Sequence, residues 1–401
     1  MKKAACIFIC VILILGLLFA VKVITSENGR TEPDIVTTEA TEEYVTEIAK
    51  QHDEIRAVWI SYFELTTMNN ADKSEKAFRK MAEEMIKRCA DNDINTVYLH
   101  VRPASDAFYR SDIYPFSMYL TGTEGKDPGF DPLGIFCEYG KQYCVDIHAW
   151  INPFRVCSVS NFSTRSDKNP AVRILNDKNG DNDDMVVTVG NGIYYNPSLP
   201  QVHKLVTDGV REILSRYDVG GIHIDDYFYP TTDASVDSAA FENYRKNGGE
   251  LSLGDWRRES MNSFVSAMYN TVKSFGGDKF FSISPEADIV KNYNENFADV
   301  RKWASETGYC DYLIPQLYYG FNHSKYPFKQ TADGWGELQG VSEIPIVYGL
   351  GIYKKGEPDR YAGDGADEWI ENSDIIPSQI DYVRSLDSYG GYALYSYSYA
   401  F

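Results

Sequence analysis

Cysteines are scarce in this chain, and none has the spacing of a metal site or a disulfide framework. Two of the seven cysteines fall in the first apolar run. The others are Cys89, Cys137, Cys144, Cys157 and Cys310. Because their number is odd and no Cys-x-x-Cys pair occurs, neither a disulfide framework nor a zinc site is predicted. Cys137 and Cys144 are expected to be two small buried apolar residues rather than a disulfide.

The sequence also lacks the motifs of metal-dependent and phosphate-binding proteins. A metal-dependent hydrolase barrel needs a His-x-His pair on its first strand, where residues 58–60 read Val-Trp-Ile. No phosphate-binding glycine motif and no Gly-x-Ser-x-Gly turn occurs. The stretch from Asp177 resembles a calcium loop only in part, since Asn182 and Thr188 replace the glycine and the glutamate that such a loop requires. We therefore expect no bound metal and no cofactor.

Basic residues are in short supply, whereas tyrosine is abundant. The chain has 39 Lys and Arg against 58 Asp and Glu, for a net charge of -19. Such a charge argues against nucleic acid as a partner and against adsorption to anionic lipid headgroups. The 30 tyrosines combine an apolar face with a polar tip, which suits a site that holds sugars.

The N-terminal segment predicts export. Lys2 and Lys3 precede an apolar run over 4–21, which is short for a membrane span and long for a signal-peptide core. Residues 1–24 are therefore predicted to be a signal peptide or an uncleaved signal anchor. Either alternative places the remaining chain outside the cytoplasm, and the anchor makes the membrane a partner. Residues 25–53 are rich in Thr and Glu and predict a solvated linker.

From residue 54 to 401, apolar runs alternate with helical patterns and predict one (β/α)8 TIM barrel of the α/β class. The runs cover 56–61, 96–102, 145–152, a stretch from 220, 279–284, 311–316, 344–349 and 391–397. Clear amphipathic patterns predict helices over 75–89, 201–217 and 256–275. Long connections follow the second, third and fourth strands, and in a barrel they build the mouth over the C-terminal face.

Two adjacent carboxylates, Asp225 and Asp226, end the fourth run. Catalytic groups of such barrels lie at the C-terminal ends of strands, although Asp225 also has the alternative of a helix N-cap. Glu286 follows the fifth run, and glycoside hydrolysis needs two carboxyl groups. We predict Asp225 as nucleophile or base and Glu286 as general acid. Asp226 supports Asp225 or exchanges roles with it.

Further polar and aromatic residues follow the same strands and predict contacts with sugar rings and hydroxyl groups. These candidates are Arg102, His148, Trp150, Asn152, His223, Tyr227, Gln316 and Tyr318. Strand alternation predicts that Arg102 shares a face with His100, and that His223 shares one with Asp225. Two alternatives remain open: Arg102 forms a structural ion pair with Asp106, and Trp150 belongs to the core.

Several passages resemble one family of bacterial envelope proteins, the glycosyl-hydrolase-like family 10. The passages are Arg56-Ala57-Val58-Trp59, Val101-Arg102-Pro103-Ala104-Ser105-Asp106-Ala107, Tyr119-Leu120-Thr121-Gly122, Asp131-Pro132-Leu133, His148-Ala149-Trp150-Ile151-Asn152-Pro153-Phe154-Arg155, Tyr195-Asn196-Pro197, Gly221 to Pro230, Ser284-Pro285 and Pro315-Gln316-Leu317-Tyr318. The resemblance spans nearly all of 54–401. It implies a TIM-type barrel, exported or lipid-anchored, with at least one relative that cleaves peptidoglycan strands already stripped of peptides.

The expected function is therefore that of an exported glycoside hydrolase. Its substrate would be peptide-free peptidoglycan strands or a related polysaccharide. Carboxylates on adjacent barrel strands suggest the short separation of retaining enzymes, about 5–5.5 Å. The alternative is a non-catalytic glycan-binding protein on a glycosidase-derived barrel.

Overall fold

The protein is described by a computed structural model over residues 54–177, 183–226, 228–339 and 344–401. The predicted signal segment (1–24), the predicted linker (25–53) and Tyr227 lie outside these ranges, so those predictions stay predictions. Within them, no helix combines the length and the apolar character that crossing a membrane requires.

Twelve strands occur in the described ranges. They are β1 (Ile55–Ile60), β2 (Thr96–Arg102), β3 (Asp146–Ile151), β4 (Arg155–Ser158), β5 (Val186–Val189), β6 (Gly192–Tyr195), β7 (Gly221–Ile224), β8 (Phe280–Ile283), β9 (Tyr312–Leu313), β10 (Gln316–Leu317), β11 (Ile346–Leu350) and β12 (Tyr389–Leu394). Nine of them form a parallel sheet in the order β10-β11-β12-β1-β2-β3-β7-β8-β9. A further pairing of β11 with β9 closes this sheet into a barrel. The predicted (β/α)8 barrel is confirmed.

Helices connect the strands on the outside. They are α1 (Tyr62–Leu65), α2 (Glu75–Asp91), α3 (Met118–Thr121), α4 (Pro132–Tyr143), α5 (Pro170–Asn176), α6 (Pro200–Arg216), α7 (Ser238–Lys246), α8 (Leu253–Lys273), α9 (Ile289–Asn294), α10 (Val300–Ser305), α11 (Phe328–Gly336), α12 (Glu368–Glu371), α13 (Ile375–Val383) and α14 (Tyr397–Ala400). The three helices predicted from periodicity correspond to α2, α6 and α8. Short 3-10 turns cover Val159–Thr164, Asp183–Met185, Ile352–Lys354 and Gly363–Gly365.

Local sequence explains where the longer helices begin. The Ser74 hydroxyl caps α2 by accepting a hydrogen bond from the backbone N–H of Ala77. In α4 the cap is Asp131, which accepts from Gly134, and Pro132 occupies the first turn, where its missing N–H has no cost. The apolar stripe of each helix then packs against the strands, which are buried on both faces.

The barrel interior has its own apolar cluster. It consists of Ala57, Trp59, Tyr98, Trp150, Tyr312, Ile314, Val347 and Ala393. These residues alternate with outward-facing ones along their strands, and the register places Trp59 beside Tyr98 and Trp150 beside His223. The interior is thus filled at mid-height, and only its C-terminal end is left for a site.

Three details differ from the sequence-based expectation. The sixth strand is split into β9 and β10, because the intervening stretch contains Pro315, which has no N–H for the sheet. The long connection after β3 contains an antiparallel sheet of its own, in the order β4-β6-β5. Cys137 and Cys144 are unpaired as predicted, but Cys144 is exposed rather than buried.

Candidate active site

A cavity of about 420 Å³ opens at the C-terminal ends of the barrel strands. Its lining consists of Trp59, Ser61, Tyr62, Phe63, His100, Trp150, Asn152, Arg155, Asp225, Asp226, Ser284, Gln316, Tyr318 and Tyr395. The predicted residues that it brings together are Trp150, Asn152, Asp225, Asp226, Gln316 and Tyr318. The predicted residues absent from this lining are Arg102, His148, His223 and Glu286.

Asp225 is held by a hydrogen-bond relay that begins on β2. The Asn152 Nδ2 donates to both carboxylate oxygens of Asp225, at 2.7 and 2.6 Å. The same amide accepts at Oδ1 from His100 Nε2, at 2.5 Å. Burial lowers the pKa of His100 to about 3, so the ring is neutral and the relay fixes its proton on Nε2. Asn152 is therefore placed to orient a carboxylate, a different role from the predicted sugar contact.

Asp226, the next residue, has the properties of a proton donor. Burial, and to a lesser extent the nearby charge of Glu286, raise the pKa of its carboxyl to about 6. Hydrogen bonds from its own backbone and from Gln316 act in the opposite direction. A carboxyl group with such a pKa keeps its proton close to neutral pH, as a general acid must.

Glu286 lies near this pair but is engaged by another residue. Its carboxylate oxygens are 2.8 and 2.7 Å from the Lys291 ammonium. Its backbone pairs with that of Gln316 next to the cavity wall. Because both carboxylate oxygens of Glu286 contact the Lys291 ammonium and the side chain lies outside the cavity lining, Glu286 is the weaker candidate for the acid.

The two predicted histidines lie below the cavity, inside the barrel. His223 accepts at Nε2 from the Trp59 indole at 3.0 Å and is 2.9 Å from Ser282 Oγ through Nδ1. Burial, with His148 and His100 nearby, holds the pKa of His223 well below its ordinary value. His148 lies lower still, within 3.1 Å of Asp146 and 3.3 Å of the Tyr312 hydroxyl. Both imidazoles are bonded within the barrel, beneath the cavity.

The prediction that Arg102 shares a face with His100 is wrong. The pairing of β2 with β3 shifts register between these two residues, so strand alternation fails there. Arg102 instead donates to the Tyr114 hydroxyl at 2.8 Å, and its guanidinium lies over that ring. It packs within the long connection after β2, and the proposed ion pair with Asp106 is not among its contacts in the described structure.

Sequence reasoning omitted several residues of the lining. They are Trp59, Ser61, Tyr62, Phe63, His100, Arg155, Ser284 and Tyr395. Alternation along β1 could have identified Trp59, whereas alternation along β2 and β8 placed His100 and Ser284 on inward faces without assigning them a sugar contact. The aromatic residues after β1 and β12 carry no such signal, because tyrosines are ordinary strand residues.

Three polar atoms of the lining are unsatisfied. His100 Nδ1, the Trp150 indole nitrogen and the Ser284 hydroxyl are buried and have no hydrogen-bond partner in the described part of the chain. Native proteins rarely leave buried donors unpaired, and a bound ligand is one explanation. Elsewhere in those ranges, no three His, Cys, Asp or Glu side chains cluster as a metal site would require.

An eight-stranded parallel barrel with paired carboxylates and aromatic side chains at its C-terminal face has the architecture of a glycoside hydrolase. Comparison with known proteins agrees with this class. The chain belongs to the glycosyl hydrolase-like 10 family, whose model matches residues 54–366.

Two relatives and one solved structure are similar over most of the described chain. The glycosyl hydrolase YngK of Bacillus subtilis is 31% identical over 76% of this chain, and the match covers 62% of YngK, less than two thirds of its length. The glycosyl hydrolase DigH of Escherichia coli K12 is 30% identical over 76% of this chain and 72% of DigH. The glycoside hydrolase domain of PgaB (BpsB) from Bordetella bronchiseptica superposes with a TM-score of 0.57 at 12% identity, over 86% of this chain and 95% of that domain. This last likeness shows a shared fold.

Proposed function

We propose that the protein is an exported glycoside hydrolase that cleaves peptidoglycan glycan strands free of peptide. The observation that carries the proposal is the pair Asp225 and Asp226 on the wall of one cavity, with the second carboxyl protonated up to a pH of about 6. Asp226 is proposed as the general acid, in place of Glu286, and Asp225 as the charged partner that stabilises the developing positive charge on the sugar.

The nature of the substrate is supported by the chemistry of the cavity. Its walls offer tyrosine and tryptophan faces for sugar rings, and an amide, a hydroxyl and an arginine for their substituents. The net charge of -19 disfavours strands that still carry acidic peptides. The predicted export segment supports a site of action outside the cytoplasm, with the protein membrane-anchored or secreted.

The test is a digest of peptide-free peptidoglycan strands, read as fragment masses, by wild type and by Asp225→Asn, Asp226→Asn and Glu286→Gln. Loss of a general acid or of its charged partner should lower the rate by about 10²–10⁴-fold. In a digest below the pKa of Asp226, at a pH of about 5, Glu286→Gln should keep most of the activity, because we assign it no contact with the substrate.

Asp218→Asn is the matched control. Asp218 precedes β7 at the opposite end of the same strand and is largely exposed, so its variant should digest the strands at the wild-type rate. Undiminished cleavage by Asp226→Asn would remove that residue from the mechanism. If wild type binds the strands but releases nothing from them, the glycan-binding alternative is correct.

A further inference from the structure

The reacting carboxylates come from one short segment, and the described cavity lining contains no third carboxylate. Among the described residues of the cavity lining, the charged side chains are Asp225, Asp226 and Arg155. A conventional retaining glycosidase places its nucleophile and its acid on either side of the scissile bond, on separate elements. Glu286, the remaining carboxylate nearby, lies outside this lining and contacts Lys291. The nucleophile opposite the acid is thus missing from the described wall.

Asp225 has the geometry of a hydrogen-bond acceptor held ready for a substrate. The amide nitrogen of Asn152 lies within hydrogen-bond distance of both of its oxygens. A carboxylate offers about four lone-pair positions and can accept from more than one donor. Because His100 fixes the orientation of Asn152, the carboxylate plane is fixed before any ligand arrives.

We infer that the nucleophile is the 2-acetamido group of the substrate itself; this inference rests on the proposed glycosidase function. Asp225 accepts a hydrogen bond from the acetamido N–H, which turns the carbonyl oxygen toward the anomeric carbon. That oxygen forms a bond to the anomeric carbon while the glycosidic C–O bond breaks. The leaving oxygen takes the bond's electron pair and the proton of Asp226. The positive charge then resides on a cyclic oxazolinium ion, beside the Asp225 carboxylate.

A water molecule completes the reaction. It attacks the anomeric carbon, gives its proton to the Asp226 carboxylate, and returns the ring C–O electron pair to the acetamide. Two displacements at the same carbon leave its configuration unchanged. No bond between sugar and protein forms at any stage.

The rest of the lining fits an acetamido group. The rings of Trp59 and Tyr395, in edge-to-face contact with their centroids 5.9 Å apart, provide an apolar surface for the methyl group. The unpartnered Trp150 N–H and Ser284 hydroxyl are donors suited to a carbonyl oxygen. Acceptor, donors and apolar surface match the three parts of this substituent.

The test varies the acyl group on one polymer. Peptide-free strands are de-N-acetylated and divided, and the portions are re-acylated with acetyl or trifluoroacetyl groups. Fluorine withdraws electrons from the carbonyl oxygen, so kcat at saturation should fall on the order of tenfold or more on the trifluoroacetyl strands. The thiazoline analogue of the cyclic intermediate should inhibit competitively, and the product should retain its configuration.

Equal kcat values on the two polymers would overturn the inference and leave the proposed function intact. Product of inverted configuration, or a sugar found attached to Asp225 by mass spectrometry of the quenched enzyme, would do the same. Failure of wild type to cleave even the re-acetylated strands would instead overturn the proposed function. The two failures are therefore distinguishable.

Discussion

At the residue scale, two neighbouring aspartates have been given different properties by their surroundings. Asp225 receives the Asn152 amide and is held as an acceptor, whereas burial and the nearby charge of Glu286 raise the pKa of Asp226. A raised pKa marks a carboxyl group as a candidate general acid. At Asp226 the causes are burial first and the charge of Glu286 second.

The first prediction concerns the pH dependence of kcat/KM, which reports groups of the free enzyme. The acid must be protonated, so kcat/KM should fall above a pH of about 6, the pKa of Asp226, by a factor of about ten per pH unit. The part of the profile in which kcat/KM falls is its descending limb. Glu286→Gln removes a negative neighbour of Asp226 and should move this limb to lower pH. Lys291→Met removes a positive neighbour and should move it to higher pH. Profiles of the three proteins on the same strands measure the effect.

Shifts of this limb in the same direction for both variants would contradict the role of Asp226. A change in folding would lower activity at every pH without moving the limb. Shifts of the limb in opposite directions for the two variants would therefore distinguish an electrostatic effect on Asp226 from a loss of folded protein.

At the scale of elements, strands were predictable and their interruptions were not. Apolar runs predicted the strands because a parallel barrel buries both faces of each one. The shift between His100 and Arg102, by contrast, depends on how β2 pairs with β3, which a single sequence does not encode locally. Asn152 was found because it continues the alternation of β3, but its partner Asp225 follows β7, 73 residues later. Strand alternation predicts which face of a strand a side chain occupies. Which side chains touch across strands is known only from the three-dimensional fold.

The second prediction concerns the long connection after β2, which contains the fully buried Asp106. The Ser117 hydroxyl donates to this carboxylate at 2.7 Å. Burial raises the pKa of Asp106 to about 6, above the value of about 3.9 in the unfolded chain. The folded state thus binds the proton more tightly, so this contribution to stability is complete below a pH of about 4 and is lost as the pH rises through 6.

Asp106→Asn should therefore raise the free energy of unfolding at pH 7.5, by about 1–3 kcal/mol. The gain should shrink by roughly 2 kcal/mol at pH 4.5, where the native carboxyl is already protonated. Denaturant unfolding at both pH values measures it, with Asp218→Asn as an exposed control. A gain of equal size at both pH values would mean that packing, not ionisation, is responsible.

At the scale of the whole molecule, aromatic rings continue from the cavity onto one side of its rim. Tyr318 stacks on Tyr395, which contacts Tyr353 at 6.0 Å between ring centroids, and Tyr353 contacts Tyr399 at 6.2 Å. Tyr399 is 62% exposed, and the neighbouring Phe63, on the cavity lining, is 66% exposed. Both follow the adjacent strands β12 and β1, so the exposed rings lie on one side of the barrel mouth.

This rim leads to the third prediction, which concerns substrate length. A cavity of about 420 Å³ is of the size that holds a small molecule, so a glycan strand has to continue outside it. Phe63→Ala and Tyr399→Ala should each raise KM for long strands about fivefold, as expected for the loss of about 1 kcal/mol of ring stacking. Both should leave kcat unchanged. Tyr399→Ala, whose ring lies outside the cavity lining, should also leave KM for a short fragment confined to the cavity unchanged. Phe275→Ala removes a partly exposed ring after the C-terminus of α8, at the opposite end of the barrel, and should change neither constant. If the rim variants raise KM equally for long and short substrates, the rim does not bind the polymer and acts only on the shape of the cavity.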